Sequence, residues 1–221
     1  MKRVALYFGS FNPLHYGHLG IAEYIILNCA IDRFDMVLSP HNPFKDKQIL
    51  AQPQQRLIAL KKAIFPFNKE LKQKIESKNL QLAKQHKEIK PDTKVPNAPK
   101  VPNAANKKRW QGEILNLSKI KCNKVIVNDI EFHLSEPLYT FNTLKELQKR
   151  EPDCEFIIVV GADSIAAMPR WYRGEELLKE YKVIVYPRKG YRVKTICHKY
   201  HALYLQDAPL NNISSTALRN L

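Results

Sequence analysis

No stretch of this 221-residue chain approaches the roughly 20 consecutive apolar residues that a membrane-spanning helix needs. No export signal is expected either. Met1-Lys2-Arg3 precedes an apolar run, but Val4 to Phe8 is too short for one and Gly9-Ser10-Phe11-Asn12-Pro13 interrupts it. Cysteine is scarce and unpatterned. Cys29, Cys122, Cys154 and Cys197 form no C-x-x-C pair and no zinc-ligand spacing with histidine, so no metal site is expected from protein side chains. Reduced thiols in a cytoplasmic protein are the expectation. Acid is in deficit, with 21 Asp+Glu against 36 Lys+Arg and a net charge of +15. Such a balance favours anionic partners: nucleotides, nucleic acid or acidic lipid. The excess is uneven, since Lys69 to Arg109 carries twelve basic and four acidic residues. That stretch has few large apolar residues after Leu82 and no aromatic ring until Trp110.

What is present suits one globular domain spanning 1–221, with a hydrophobic content of 44%. Val4 to Phe8, Phe34 to Leu38, Lys124 to Asn128, Glu155 to Val160 and Lys182 to Tyr186 read as buried strands, and Ala202 to Leu205 as a sixth. Helical patterns fall between them, over Leu19–Leu27, Gln52–Ile64, 140–150 and about 163–180, the last broken near Pro169 and Gly174. After Pro66 the apolar period fails. Residues 68–90 read as a separate solvated helix and 91–110 as a flexible loop, together a lysine-rich insert over about 68–115. Alternating strands and helices predict an α/β fold: a doubly wound, mostly parallel, Rossmann-like sheet with helices on both faces. Ligands of such sheets bind beyond the carboxyl ends of the strands. Gly9-Ser10, His41 and Gly161-Ala162-Asp163 fall there.

The densest chemistry lies in Gly9-Ser10-Phe11-Asn12-Pro13-Leu14-His15-Tyr16-Gly17-His18. It follows a strand and opens a helix, whose first N–H groups are free for an anion. Gly9 would let a phosphate approach the backbone, and Gly17 would permit a tight turn. His15 and His18 can donate to one phosphate chain; the competing reading is a metal pair or two surface histidines. At the other end, Ile213-Ser214-Ser215-Thr216-Ala217-Leu218-Arg219 places two serines at a helix start, and Arg219 lies four residues after Ser215 on the same face. Arg219 can fork onto the same anion. Taken alone, that stretch is an ordinary N-cap.

The first stretch resembles the G-x-F-[DN]-P-x-H-x-G-H signature of the adenylyltransferase and cytidylyltransferase superfamily, and the second its I-S-S-T-x-[IL]-R motif. Within it the chain resembles the nicotinate-nucleotide adenylyltransferases through four further passages: Ser39-Pro40-His41-Asn42-Pro43-Phe44-Lys45, Gln55-Arg56, Pro137-Leu138-Tyr139-Thr140-Phe141-Asn142-Thr143-Leu144, and Gly161-Ala162-Asp163-Ser164 with Pro169-Arg170-Trp171-Tyr172. The resemblance covers residues 1–66 and about 124–221. It departs at Leu138, where the family usually has serine, at Leu134, where arginine is common, and over the lysine-rich insert. The family also usually continues beyond the serine-arginine helix.

The resemblance implies adenylyl transfer from ATP to nicotinate mononucleotide, with Mg²⁺ accompanying ATP. ATP would be held by Gly9, Ser10, His15, His18, Gly161, Asp163, Ser214, Ser215, Thr216 and Arg219, of which His15, His18 and Arg219 would be catalytic. Nicotinate mononucleotide would meet Ser10, Phe11, Lys45, Tyr139, Thr140 and Trp171. The plainer readings make Trp171 a core residue, Asp163 a helix N-cap, and Lys45 and Arg56 solvated charges. Three alternatives stand beside it: a sibling such as pantetheine-phosphate adenylyltransferase or a cytidylyltransferase, a nucleic-acid-binding protein using the basic stretch, and an inactive relative. Nucleic acid is the weaker partner because no aromatic rings interleave the lysines. No membrane partner is expected, and a homo-oligomer is left open.

Overall fold

The computed structural model describes residues 1–41, 52–88, 114 and 117–210, with 86–88 as backbone alone. Its centre is a six-stranded sheet in the order β3-β2-β1-β4-β5-β6, parallel at every pairing. The strands are β1 (Lys2–Gly9), β2 (Arg33–Leu38), β3 (Val125–Asn128), β4 (Cys154–Gly161), β5 (Lys182–Tyr186) and β6 (Leu203–Tyr204). Between them run α1 (Tyr16–Asn28), α2 (Pro53–Glu88), α3 (Thr140–Arg150), α4 (Ala162–Ala167), α5 (Gly174–Glu180) and α6 (Lys194–Lys199). Short 3₁₀ turns occupy Ile130–His133 and Met168–Arg170.

Successive residues of a strand point to opposite faces. In β1, Ala5 joins the cluster formed by α1 and α2, while Val4 and Leu6 join the one formed by α3 to α6. Both faces are therefore covered, which explains why the strands read as unbroken apolar runs. The strand order reverses between β1 and β4, the place where a doubly wound sheet opens a crevice at its carboxyl edge.

One expectation is corrected here. Helix α2 does not end before Pro66 and restart as a solvated segment; it runs through Pro66 from Pro53 to Glu88. Leu60, Ile64, Phe67, Leu71 and Ile75 are buried at helical spacing on both sides of the proline. Pro66 itself faces solvent, where water can take up the carbonyl that its missing N–H leaves unbonded. Two asparagines of the same helix clip the incoming chain: Asn68 exchanges bonds with the backbone N–H and carbonyl of Val125 (2.7 and 2.9 Å), and Asn79 does so with Ile120 (2.8 and 3.4 Å). Burial of one face, rather than local propensity, carries the helix past its proline. The loop expected at 91–110 lies outside the described residues.

Candidate active site at the carboxyl edge of the sheet

Chain reversal after β1 brings Ser10 to His15 over the carboxyl edge and delivers His15 as the N-cap of α1, with extended backbone. His18 is then the third residue of the helix, and the two imidazoles stack with centroids 3.7 Å apart. The His15 N–H donates to His18 Nδ1 at 3.3 Å, which leaves Nε2 as the proton-bearing nitrogen of a neutral His18 ring. His15 Nδ1 is buried and has no hydrogen-bond partner among the described residues. Burial, and then the nearby charge of Arg188, hold the His15 imidazole below its usual pKa. The two rings stand at a helix N-terminus, where the helix dipole favours an anion.

Two details of the first motif differ from expectation. The space above Gly9 is taken by Phe11, since a Cβ on Gly9 would lie 2.9 Å from that ring; glycine here seats Phe11 rather than opening the backbone to phosphate. Phe11 has a left-handed backbone (φ 43°) and packs its ring in the core, against Tyr7 and edge-on to His18 at 5.1 Å. The ring thus backs His18, and only the Phe11 backbone is left for an acceptor. Gly17, moreover, is not in a turn but is a buried residue of the first turn of α1.

Across the crevice, Gly161 ends β4 and caps α4, so Asp163 is the second helical residue and not the cap. Its carboxylate folds back over Gly161, where a Cβ would meet Oδ1 at 2.5 Å. Oδ1 has no hydrogen-bond partner among the described residues. Oδ2 accepts from Arg188 Nη1 at 2.9 Å. Arg188 follows β5, and the pairing of Gly161 with Tyr186 puts Asp163 and Arg188 at equivalent positions two residues past the paired ends. Sequence reasoning missed Arg188. Its signal was available only as a basic residue two positions beyond a strand end.

The residues expected to meet an acceptor lie on the turns that start α3 and precede α5. Tyr139 caps α3 and Thr140 is its first residue. Trp171 is half-buried against the α3–α6 core cluster, as is Leu134, and Tyr172 stacks on Tyr139 with centroids 4.4 Å apart. The turn carrying Trp171 is thereby joined to the turn carrying Tyr139 and Thr140. Leu138, where the resembled family has serine, is buried. His41 Nδ1 meets Glu136 Oε1 at 2.6 Å, linking the loop after β2 to the approach to α3. Arg56 is not a solvated charge but is almost fully buried, and Ser10 is buried too. Lys45, Ser214, Ser215, Thr216 and Arg219 lie outside the described residues.

His15 and His18 at the start of α1 and Asp163 at the start of α4 stand at the carboxyl edge on either side of the switch point, where such a sheet takes its ligands. The cytidylyltransferase-like family matches residues 6–221.

The chain belongs to that family.

It is 30% identical over 219 residues to the probable nicotinate-nucleotide adenylyltransferase of Flavobacterium johnsoniae, covering 99% of this chain and 85% of that protein. The protein of the same name from Bacteroides fragilis is 27% identical over 217 residues, covering 98% and 80%. At this similarity the chain groups with the nicotinate-nucleotide adenylyltransferases, a nucleotidyltransferase family. The fold is shared with Plasmodium falciparum nicotinic acid mononucleotide adenylyltransferase complexed with NaAD, at a TM-score of 0.63 and 20% identity over all of this chain and 83% of the other. No helix among the described residues is long and apolar enough to cross a membrane.

Proposed function

We propose that this enzyme transfers the adenylyl group of ATP to nicotinate mononucleotide, releasing pyrophosphate and forming deamido-NAD for NAD biosynthesis in the cytoplasm. The observation that carries the reading is the stacked His15–His18 pair at the start of α1, set across the crevice from Asp163, in a chain similar along nearly its whole length to proteins of that name.

The nucleophile, a phosphate monoester, is already anionic at neutral pH, so no general base is required. Catalysis reduces to placing the two substrates in line and neutralising charge on the leaving pyrophosphate. His15 and His18, with Arg219, donate to the triphosphate; burial and the Arg188 charge hold the His15 pKa below its usual value. Asp163, with Oδ2 held by Arg188, offers its carboxylate to the adenosine. Gly9, Gly161, Ser214, Ser215 and Thr216 shape the backbone around the donor. Ser10, the Phe11 backbone and Lys45 receive the acceptor phosphate, while Trp171 and the Tyr139–Thr140 turn receive the pyridine.

Among the described residues no three His, Cys, Asp or Glu side chains gather to cage a metal. The imidazoles and guanidinium at the edge suit phosphate oxygens rather than a hard cation. Mg²⁺ accompanying ATP would supply charge neutralisation on the phosphates, beside His15, His18 and Arg219.

The test is pyrophosphate release from Mg²⁺-ATP with nicotinate mononucleotide, nicotinamide mononucleotide or phosphopantetheine as acceptor. Highest kcat/KM on nicotinate mononucleotide is expected, with His18→Ala lowering kcat by about a hundredfold or more, the cost of one transition-state donor. Preference for another acceptor would remove the pyridine role of Trp171, and near-normal turnover of His18→Ala would remove that histidine from the chemistry.

A further inference from the structure

Two buried side chains of opposite charge remain outside the site just described: Arg56, 3% exposed, and Glu131, 2% exposed. Arg56 stands in the first turn of α2. Its Nη1 donates to the carbonyls of Ser10 (2.8 Å) and Ser39 (2.9 Å), and its Nη2 to the carbonyl of Pro40 (2.6 Å). Those carbonyls belong to the two loops that leave β1 and β2. Withdrawing a guanidinium from water is costly, and burial pushes its pKa down. The planar fork offsets that cost by bonding carbonyls of both loops at once, which a lysine ammonium could not reproduce.

The path continues. The Ser39 side chain lies beside the Glu131 carboxylate and holds its pKa down against the effect of burial. Glu131 Oε1 accepts from Thr143 Oγ1 at 2.8 Å. Thr143 reaches back to the Tyr139 carbonyl through both its hydroxyl (3.3 Å) and its N–H (3.1 Å). A buried polar chain thus runs from Ser10 through Arg56, Ser39, Glu131 and Thr143 to Tyr139. It begins on the segment assigned to the acceptor phosphate and ends on the turn assigned to the acceptor ring. Burial lifts the Glu131 carboxyl above the usual range, and its Oε2 has no hydrogen-bond partner among the described residues. Apolar packing would hold these elements together at lower electrostatic cost. What directional bonds add is a fixed register between the loops.

We propose that Arg56 and Glu131 are positioning residues for the acceptor, holding the loops after β1 and β2 and the start of α3 in one register, so that the acceptor's phosphate and ring sites keep a set separation. The proposal rests on the functional reading above for the identity of the acceptor. Neither residue touches substrate. Their effect passes through the Ser10 and Tyr139 segments, and it falls on the acceptor more than on ATP because Asp163 and Arg188, which follow β4 and β5, take no part in these bonds.

The experiment is steady-state kinetics on Arg56→Lys, Thr143→Val, Glu131→Ala and Glu131→Gln, with KM measured separately for nicotinate mononucleotide and ATP and Tm measured alongside. Arg56→Lys is expected to raise the acceptor KM by about tenfold or more, the scale of a small misplacement, with the ATP KM within about twofold. Thr143→Val shifts the acceptor KM in the same direction by less. Glu131→Gln, which keeps an acceptor for Thr143, recovers most of what Glu131→Ala loses. The Arg56→Lys/Thr143→Val double variant falls short of the product of the single effects, since both cut one path. A fall in Tm with unchanged acceptor KM, an equal rise in both KM values, or multiplicative single effects would overturn the proposal. If the wild-type enzyme prefers another phosphate monoester, the functional reading fails alone, and the same KM comparison with that acceptor decides the positioning role. Backbone hydrogen exchange gives a readout free of turnover: Arg56→Lys should speed exchange at Tyr139 to Leu144, and a change confined to the loops after β1 and β2 counts against the path.

Discussion

His15 and His18 lie face to face at 3.7 Å, a stack that two protonated rings would oppose by repulsion at short range. The site keeps one ring neutral by burial and by the Arg188 charge. This has a measurable consequence. Arg188→Ala removes the second cause and leaves the first, so the His15 pKa should rise toward the ordinary histidine value without reaching it, as read by NMR titration of the ring protons. The folded-state pKa of His15 lies below its unfolded value, so the unfolded chain takes up the proton first as pH falls. Stability is lost as pH drops from about 6.5 toward the folded value. Arg188→Ala should narrow that window, and thermal melts across pH 5 to 7 check it. An unchanged His15 titration would mean that Arg188 acts only on Asp163.

At the scale of elements, α2 shows packing overriding local sequence. A proline in a helix interior costs about 3 kcal/mol, and the lysines around it advertise a solvated face. Five buried apolar residues at helical spacing and two asparagine clips hold the helix together regardless. Leu71, fully buried and beyond the proline, tests this directly. Leu71→Ala should cost about 2–5 kcal/mol, as for other large-to-small core changes, measured by denaturant unfolding. A loss below roughly 0.5 kcal/mol, the scale of surface substitutions, would return the segment to a solvated appendage. Gly174 makes a similar point at smaller scale. It starts α5 where a Cβ would sit 1.8 Å from the Met168 carbonyl oxygen, so the break expected near this glycine reflects a close crossing of two short helical turns.

For the molecule as a whole, the sheet order decides what the charge can do. The crevice between β1 and β4 collects histidine and arginine at one edge, in a chain whose net charge is +15. Association with ATP should then depend on salt. kcat/KM for ATP is expected to fall several-fold between about 0.05 and 0.5 M monovalent salt, as screening shortens from roughly 14 to 4 Å, while Tm changes little. Insensitivity to salt would confine the electrostatics to direct contacts.

By itself the sequence determined the strands and the α/β class, and it singled out two stretches for phosphate chemistry, the second of which lies outside the described residues. Each rests on a short-range regularity: apolar runs of strand length, a turn ending in a helix start, fixed spacing between histidines. It also placed Tyr139, Thr140 and Trp171 through resemblance, and the structure brings their turns together through the Tyr139–Tyr172 stack. Only tertiary structure decided the rest. Arg188 meets Asp163 because β4 and β5 are paired in a given register. Phe11 backs His18 because its backbone turns left-handed over Gly9. Arg56 becomes a brace instead of a surface charge because two loops far apart in sequence turn their carbonyls toward it. These contacts depend on strand register, on one left-handed residue and on the burial of a charge, and no local pattern encodes which distant carbonyl or carboxylate a basic side chain will find.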